Sequence, residues 1–301
     1  MNLFKRIFFI LLLLPSFAKA ADLAITMDDF DIDDQAGLTA PERNAKILGA
    51  LKKHHAHAML FVIGHYIRNA DDKKLLHAWA KNGHIIANHT FSHLPYSQNQ
   101  TFEAEVKDIE RCDDVLKHEP GFQKYFRYPM LTEGDTAEKR DWLRSWLGLH
   151  SYKIGSVTID TSDWYIDARL RDRLKKDPKA DLTPYRDYYL AHMWDRANYY
   201  NDLSKRLLGR EVKHTLLVHF NLLEALFLDD LLTMFESHGW KIIDAKKAYQ
   251  DPVFTRLPNS LPSGQSILWG LAKESGKYDK ELRYPGEGDV YEKPKMDALG
   301  L

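Results

Sequence analysis

The stretch Ile85-Ile86-Ala87-Asn88-His89-Thr90-Phe91-Ser92-His93 joins a short apolar run to two imidazoles four residues apart. On one helical turn, side chains at i and i+4 share a face, so two neutral imidazoles there reach one divalent ion. Spacing alone is thin support. With 14 histidines in 301 residues, chance gives about 0.6 such pairs. The informative pattern is wider: an apolar run ends in a cluster of chemically capable residues, and the same pattern recurs along the sequence.

Apolar runs alternate with helical periodicity over most of the sequence. Strands are predicted at 23–27, 58–63, 84–87, 125–127, 153–159, 215–219 and 240–243. Between them, helices are predicted after Pro41, over 71–81, 101–118, 136–147 and 222–238. Pro41 suits a first helical turn, and Thr101 suits an N-cap. Strands that are apolar throughout and alternate with helices imply a mainly parallel sheet covered on both faces. A doubly wound sheet and a closed barrel both satisfy this pattern. Residues 167–210 break the rhythm with Tyr185, Tyr188, Tyr189, Trp194, Tyr199 and Tyr200 among many charges. They read as helices packing aromatics onto the core, with a lid or substrate wall as the alternative. Residues 251–301 are rich in Pro, Gly and charge, with an apolar island at Ile267-Leu268-Trp269. They read as a C-terminal tail that wraps the domain.

Residues 1–20 have the layout of a secretory signal peptide. Lys5 and Arg6 precede the apolar segment Ile7 to Leu14, and Ala18-Lys19-Ala20 is a small-x-small cleavage site. The segment is too short to span a bilayer, and no later run is long enough. An exported protein, periplasmic or secreted, is therefore expected. Beyond residue 20 the sequence holds 39 basic and 43 acidic residues, which gives no electrostatic footprint for nucleic acid. Cys112 is the one cysteine, so no internal disulfide forms, and its place on a helical pattern reads as structural.

The reactive residues gather at predicted strand ends. Asp28-Asp29 follows the first strand, and His89 and His93 follow the third. Arg127-Tyr128-Pro129 ends the fourth. Asp160-Thr161-Ser162-Asp163-Trp164 follows the fifth, and His219 ends the sixth. In parallel α/β architectures the C-terminal strand ends share one face and build the active site. Each cluster alone has a structural reading, as a cap, a salt bridge or a buried core histidine. Their recurrence at the same end of successive strands favours a shared site. His54, His55 and His57 look like a second cluster, but they straddle a helix end and a strand start and read as solvated or structural.

These five motifs, in this order, resemble those of the polysaccharide deacetylases with the NodB homology domain, carbohydrate esterase family 4. The resemblance is carried by Thr26-Met27-Asp28-Asp29, His89-Thr90-Phe91-Ser92-His93, Arg127-Tyr128-Pro129, Asp160-Thr161-Ser162-Asp163-Trp164 and Leu217-Val218-His219. It implies a distorted (β/α) barrel with fewer than eight full units and mostly parallel strands over residues 21–250. It also implies metal-dependent removal of N-acetyl groups from an acylated carbohydrate. Asp29, His89 and His93 would hold a divalent metal, zinc by default, in the two-histidine, one-carboxylate set of an open catalytic site. Asp28 would be the general base, oriented by Arg127. His219 would be the general acid, with Asp163 stabilising its imidazolium. Leu217 would line the acyl pocket, and Trp164, Met130 and Tyr128 would form substrate-binding walls. A backbone N–H near Met130 would meet the oxyanion.

The sequence departs from the family pattern at three places. Met27 replaces the usual phenylalanine, Arg127-Tyr128-Pro129-Met130 replaces Arg-x-Pro-Tyr, and Phe30-Asp31 follows the paired aspartates in place of the common glycine. A deformylase or O-acetyl esterase passes through the same tetrahedral intermediate and is the nearest alternative. A carbohydrate-binding protein with a degenerate site would be expected to lack part of the set Asp28, Asp29, His89, His93 and His219. A two-metal phosphodiesterase would call for more carboxylates.

Overall fold

Alternation of period 2 sends residues of one parity in each apolar run to the concave side of a curled sheet. The computed structural model describes residues 21–35, 37–97, 100–283 and 289–301; the expected signal peptide lies outside the described residues. Among the described residues there are seven strands: β1 Asp22–Asp29, β2 Met59–Val62, β3 Ile85–Asn88, β4 Phe122–Phe126, β5 Lys153–Ile154, β6 Lys213–His219 and β7 Lys241–Ile242. The helices are α1 Ala40–Lys53, α2 Ala70–Lys81, α3 Phe102–Leu116, α4 Ala137–Leu149, α5 Asp163–Lys176, α6 Thr183–Leu208, α7 Leu222–Ser237, α8 Ala245–Ala248, α9 Ile267–Ser275 and α10 Asp289–Leu299.

All strand pairings are parallel, in the order β5-β4-β3-β2-β1-β6, with β7 pairing the N-terminal end of β1. The predicted strand 153–159 is divided. Lys153–Ile154 pairs with β4, and Ile159 bridges Leu216 of β6. Gly155 lies at the break. A Cβ there would sit 2.3 Å from the Phe61 ring, so only glycine lets the backbone pass. One continuous segment thus touches both edges of the sheet and draws it into a half-barrel, the distorted (β/α) barrel expected from the motifs.

The helices start where the sequence supplies caps. Thr39 and Glu42 form a capping box on α1, and the Thr101 hydroxyl accepts from the Ala104 N–H of α3. The concave face is filled by Ala24, Met59, Phe61, Ile85, Ala87 and Tyr125, and its N-terminal end is closed by Ile243, Ala245 and Ala248. The convex face packs Leu23, Ile25, Leu60, Val62 and Ile86 against the helices. Each fully buried side chain of this size contributes roughly 1.5–3 kcal/mol, so the C-terminal half of the concave face is free to carry polar groups.

The aromatic-rich segment 167–210 forms α5 and α6. Tyr185, Tyr189 and Tyr200 are buried in the main core, so the packing reading describes this segment and the lid reading does not. In the C-terminal segment, Ile267, Leu268, Trp269, Ala272, Met296 and Leu301 join the same core. No helix among the described residues is long and apolar enough to cross a membrane.

Candidate active site

Parity delivers the polar groups to one place. Thr26 and Asp28 continue the inward column of Ala24 on β1. His89 continues Ile85 and Ala87, Arg127 continues Tyr125, and His219 continues Thr215 and Leu217. Asp28, His89, Leu217 and His219, together with Asp29, surround a cavity of about 390 Å³ at the C-terminal end of the sheet, lined also by His93, Met130, Leu131, Asp160, Trp164 and Gln265.

Asp29, His89 and His93 each offer one donor atom, and the three atoms lie within 4.8 Å of one another. Asp29 Oδ1 is 3.6 Å from His89 Nε2 and 3.4 Å from His93 Nε2, and it is buried with no hydrogen-bond partner. A buried, orphaned carboxylate oxygen facing two imidazole nitrogens is the donor arrangement a cation would satisfy. His89 Nδ1 lies 2.8 Å from the Arg127 carbonyl. This fixes the ring with Nε2 toward Asp29, the usual support for a ligating histidine. Burial and the adjoining His89 depress the His93 imidazolium to about 4, leaving that ring neutral and able to ligate. Burial alone would raise the Asp29 carboxyl, but the facing His89 and the nearby His219 and His93 hold it well below the usual carboxylate range.

The histidine pair does not sit on a helical turn, as its spacing suggested. His89 follows β3 directly, and residues 90–93 form a loop with Thr90 at φ 62° and His93 at φ 57°. The loop is held by the Thr90 N–H to Asn88 Oδ1 at 2.9 Å, the His93 N–H to Thr90 Oγ1 at 2.9 Å, and Ser92 donating to Asp108. Those bonds offset the left-handed backbone, which β-branched residues rarely adopt. Among the described residues, seven of nine non-glycine positions with positive φ are at or beside this cavity: Asp29, Phe30, Thr90, His93, Met130, Leu131 and Gln265. Strain concentrates where surrounding contacts over-determine the backbone.

Asp28 is almost fully buried and Arg127 Nη1 donates to its Oδ1 at 2.5 Å. The rest of the guanidinium is consumed by Gly155 O at 2.8 Å, Thr26 Oγ1 at 3.0 Å and Tyr249 Oη at 3.0 Å, and it stacks on the Phe61 ring at 4.0 Å. Arg127 therefore lies beneath the cavity floor and reaches the site through its bond to Asp28. His219 Nδ1 lies 2.9 Å from Asp163 Oδ1, and the His219 backbone N–H donates to Asp163 Oδ2 at 2.8 Å. The ring's Nε2 is left toward the cavity. Burial opposes charge on His219, but Asp163, with Asp29 and Asp28 beyond, overrides it and raises the imidazolium to about 10. Asp163 begins α5, where the helix dipole favours its negative charge.

Met130 and Trp164 are exposed at the mouth of the cavity, and Leu217 is part of its lining. Tyr128 is a correction. Arg127 points inward, so its neighbour points outward, and Tyr128 is buried against Phe126 at 4.9 Å beneath α3 and α4. It does not line the cavity. The motifs alone gave no site role to Thr26, Phe61, Tyr249, Asp160, Leu131 or Gln265. Thr26 was within reach, two residues from Asp28 and on the same face. Tyr249 and Gln265 carry no local signal, because only the tertiary fold brings them here. Outside the site, His54 is held by Glu236 and Asp229, and His57 by Asp244. Cys112 is buried, and burial pushes its thiol up.

Residues 18–142 match the polysaccharide deacetylase family model. That span includes Asp28, Asp29, His89, His93 and Arg127 and ends before Asp163 and His219. The protein is 29% identical over 146 residues to the peptidoglycan-N-acetylglucosamine deacetylase of Bacillus cereus, covering 48% of its own length and 46% of the relative. It is 42% identical over 86 residues to the peptidoglycan-N-acetylmuramic acid deacetylase of Bacillus subtilis, covering 28% and 32%. The alignments thus span less than half the length of these relatives. Among solved structures, a carbohydrate esterase family 4 pseudoenzyme from Bacillus anthracis superposes with a TM-score of 0.52 at 14% identity, over 76% of this protein and 66% of that one. That likeness is one of fold.

Proposed function

We propose, on the premise that this protein is a polysaccharide deacetylase homologue of the carbohydrate esterase family 4 kind, that it is an exported, metal-dependent hydrolase removing N-acetyl groups from a carbohydrate. The observation that carries the reading is one cavity shared by the ligand set Asp29, His89 and His93, a buried carboxylate at Asp28 and an imidazolium at His219. The residues fit a divalent ion, and zinc suits two imidazoles and a carboxylate. When bound, such an ion supplies Lewis acidity that polarises the acyl carbonyl and acidifies water.

The remaining work falls to side chains of this protein. Asp28, held by Arg127, takes a proton from the attacking water as the C–O bond forms. The backbone N–H of Met130 itself would meet the oxygen that gains charge, since Pro129 has none and that of Leu131 donates to Tyr128 O at 3.0 Å. His219 gives its proton to the departing nitrogen as the C–N bond breaks, releasing acetate and a free amine. Asp163 keeps His219 charged until that transfer. Leu217 bounds the acyl pocket, while Trp164 and Met130 flank the sugar. Two relatives named for deacetylating peptidoglycan sugars favour an N-acetylhexosamine substrate.

The test is acetate release from N-acetylglucosamine oligomers and acetylated peptidoglycan, with chelator and zinc add-back. Release that chelator stops and zinc restores is expected, and Asp28→Asn should keep its metal and lose turnover. Release indifferent to chelator would refute the metal role. Formate release, or turnover of O-acetyl esters alone, would replace the N-deacetylase reading by a deformylase or an esterase.

A further inference from the structure

Downstream of the motifs, the polypeptide reaches back into the cavity. Residues 263–267 are stitched by their backbone to two strand-end loops. The Glu133 N–H donates to Ser263 O at 3.3 Å, the Gln265 N–H to Leu131 O at 3.0 Å, and Thr132 bridges Gly264. On the other side, the Ile267 N–H donates to Val157 O at 2.8 Å and Ser266 Oγ to Thr158 O at 2.8 Å. The buried apolar face of α9 anchors the segment directly afterwards. Gly264 is obligatory here: at φ +99° its Cβ would fall 1.6 Å from Leu131 O.

This clamp has two consequences for the site. Met130 and Leu131 both hold positive φ, at 51° and 54°, a conformation that persists only where neighbours enforce it. The paired segment supplies that enforcement, beside the backbone proposed to meet the oxyanion. It also carries the half-buried Gln265 side chain into the cavity lining. Apart from Asp28, His219 and the ligand set, the lining offers two polar side chains, Asp160 and Gln265; the rest is Met130, Leu131, Trp164 and Leu217. A sugar presents hydroxyls and an acylamino group, and sites of this kind fix orientation with a few placed polar groups. An amide both donates and accepts.

We propose that Gln265 is a substrate-binding residue of this site, hydrogen-bonding a hydroxyl or the acylamino group of an N-acylated hexosamine from the Met130–Leu131 wall. The proposal rests on the deacetylase reading for its substrate class, and its test separates the two. The zinc-loaded full-length protein and its Gln265→Ala variant are titrated calorimetrically with N-acetylglucosamine tetramer, and acetate release is measured on the same ligand. Loss of one hydrogen bond should raise Kd and KM about fivefold to tenfold, with kcat changed by less than KM and zinc content and Tm retained. Gln265→Glu, of the same size, guards against a folding artefact. Unchanged Kd and KM in both variants overturn the proposal, as does a loss confined to kcat with a lowered Tm, which marks a structural role. A wild type that binds the tetramer without releasing acetate overturns the deacetylase reading, and Gln265 is then judged on Kd. A wild type that does not bind the tetramer overturns the proposal itself.

Discussion

Asp163→Asn isolates what keeps His219 charged. Burial disfavours the imidazolium, and the Asp163 carboxylate with its 2.9 Å contact does most to reverse that. The move from an ordinary 6.5 to about 10 corresponds to about 5 kcal/mol at 1.36 kcal/mol per pKa step. This is an upper bound, because a fifth of the ring meets water. Asparagine keeps the shape and one acceptor but removes the charge, so the pKa should return to its ordinary value or below. At pH 8 a group titrating at 6.5 is about 3% protonated, so a reaction needing the imidazolium should slow about 30-fold there. The basic limb of the kcat profile should move toward neutrality. A dication on Asp29 cancels that carboxylate's pull, so the imidazolium is best titrated in metal-free protein, by the His219 ring proton shift in NMR. The stability consequence has a fixed sign. Because the folded pKa is raised, the charge contribution is complete below about 6.5 and fades as pH climbs through about 10. The wild type's advantage over the variant should therefore be greatest near pH 6. An unmoved basic limb, or an imidazolium titrating as in wild type, would refute the assignment of Asp163.

His89→Ala should lower zinc content at least tenfold by atomic absorption, since it removes one of three donors; a full complement of zinc would exclude His89 as a ligand. Arg127→Met should destabilise the protein by about 3–5 kcal/mol in urea melts, because it strands the buried Asp28 carboxylate; a loss under 1 kcal/mol would show that Asp28 finds another partner. Gly155→Ala should cost about 1–3 kcal/mol and depress turnover, since the new methyl displaces Phe61 from beneath Arg127. Wild-type Tm and kcat in that variant would show that the segment relaxes freely.

The site was legible to the extent that its residues sit on strands. Two residues per repeat is a property of extended backbone, so Asp28 and His219 on strands, and His89 and Arg127 one residue beyond them, could be assigned to one end and one face from the sequence. The His89–His93 pair met for a different reason than the spacing suggested, because two left-handed residues, not a helical turn, fold the loop back. Tyr128 was misjudged because the parity that turns Arg127 inward turns its neighbour outward.

The sequence by itself determined the strand-helix order, the apolar faces and which candidate site residues fall at strand ends, all of which follow from local periodicity and from motifs. Only the tertiary structure decided how the sheet curls, with residues 153–159 meeting both edges. It also brought Tyr249 under Arg127 from 122 positions away, and Gln265 into the cavity through pairing with the loop after β4. Such contacts join residues whose separation in sequence carries no repeating signal. They form because a curled sheet, once closed by glycine at 155, leaves its strand-end loops close enough for a distant segment to pair with them.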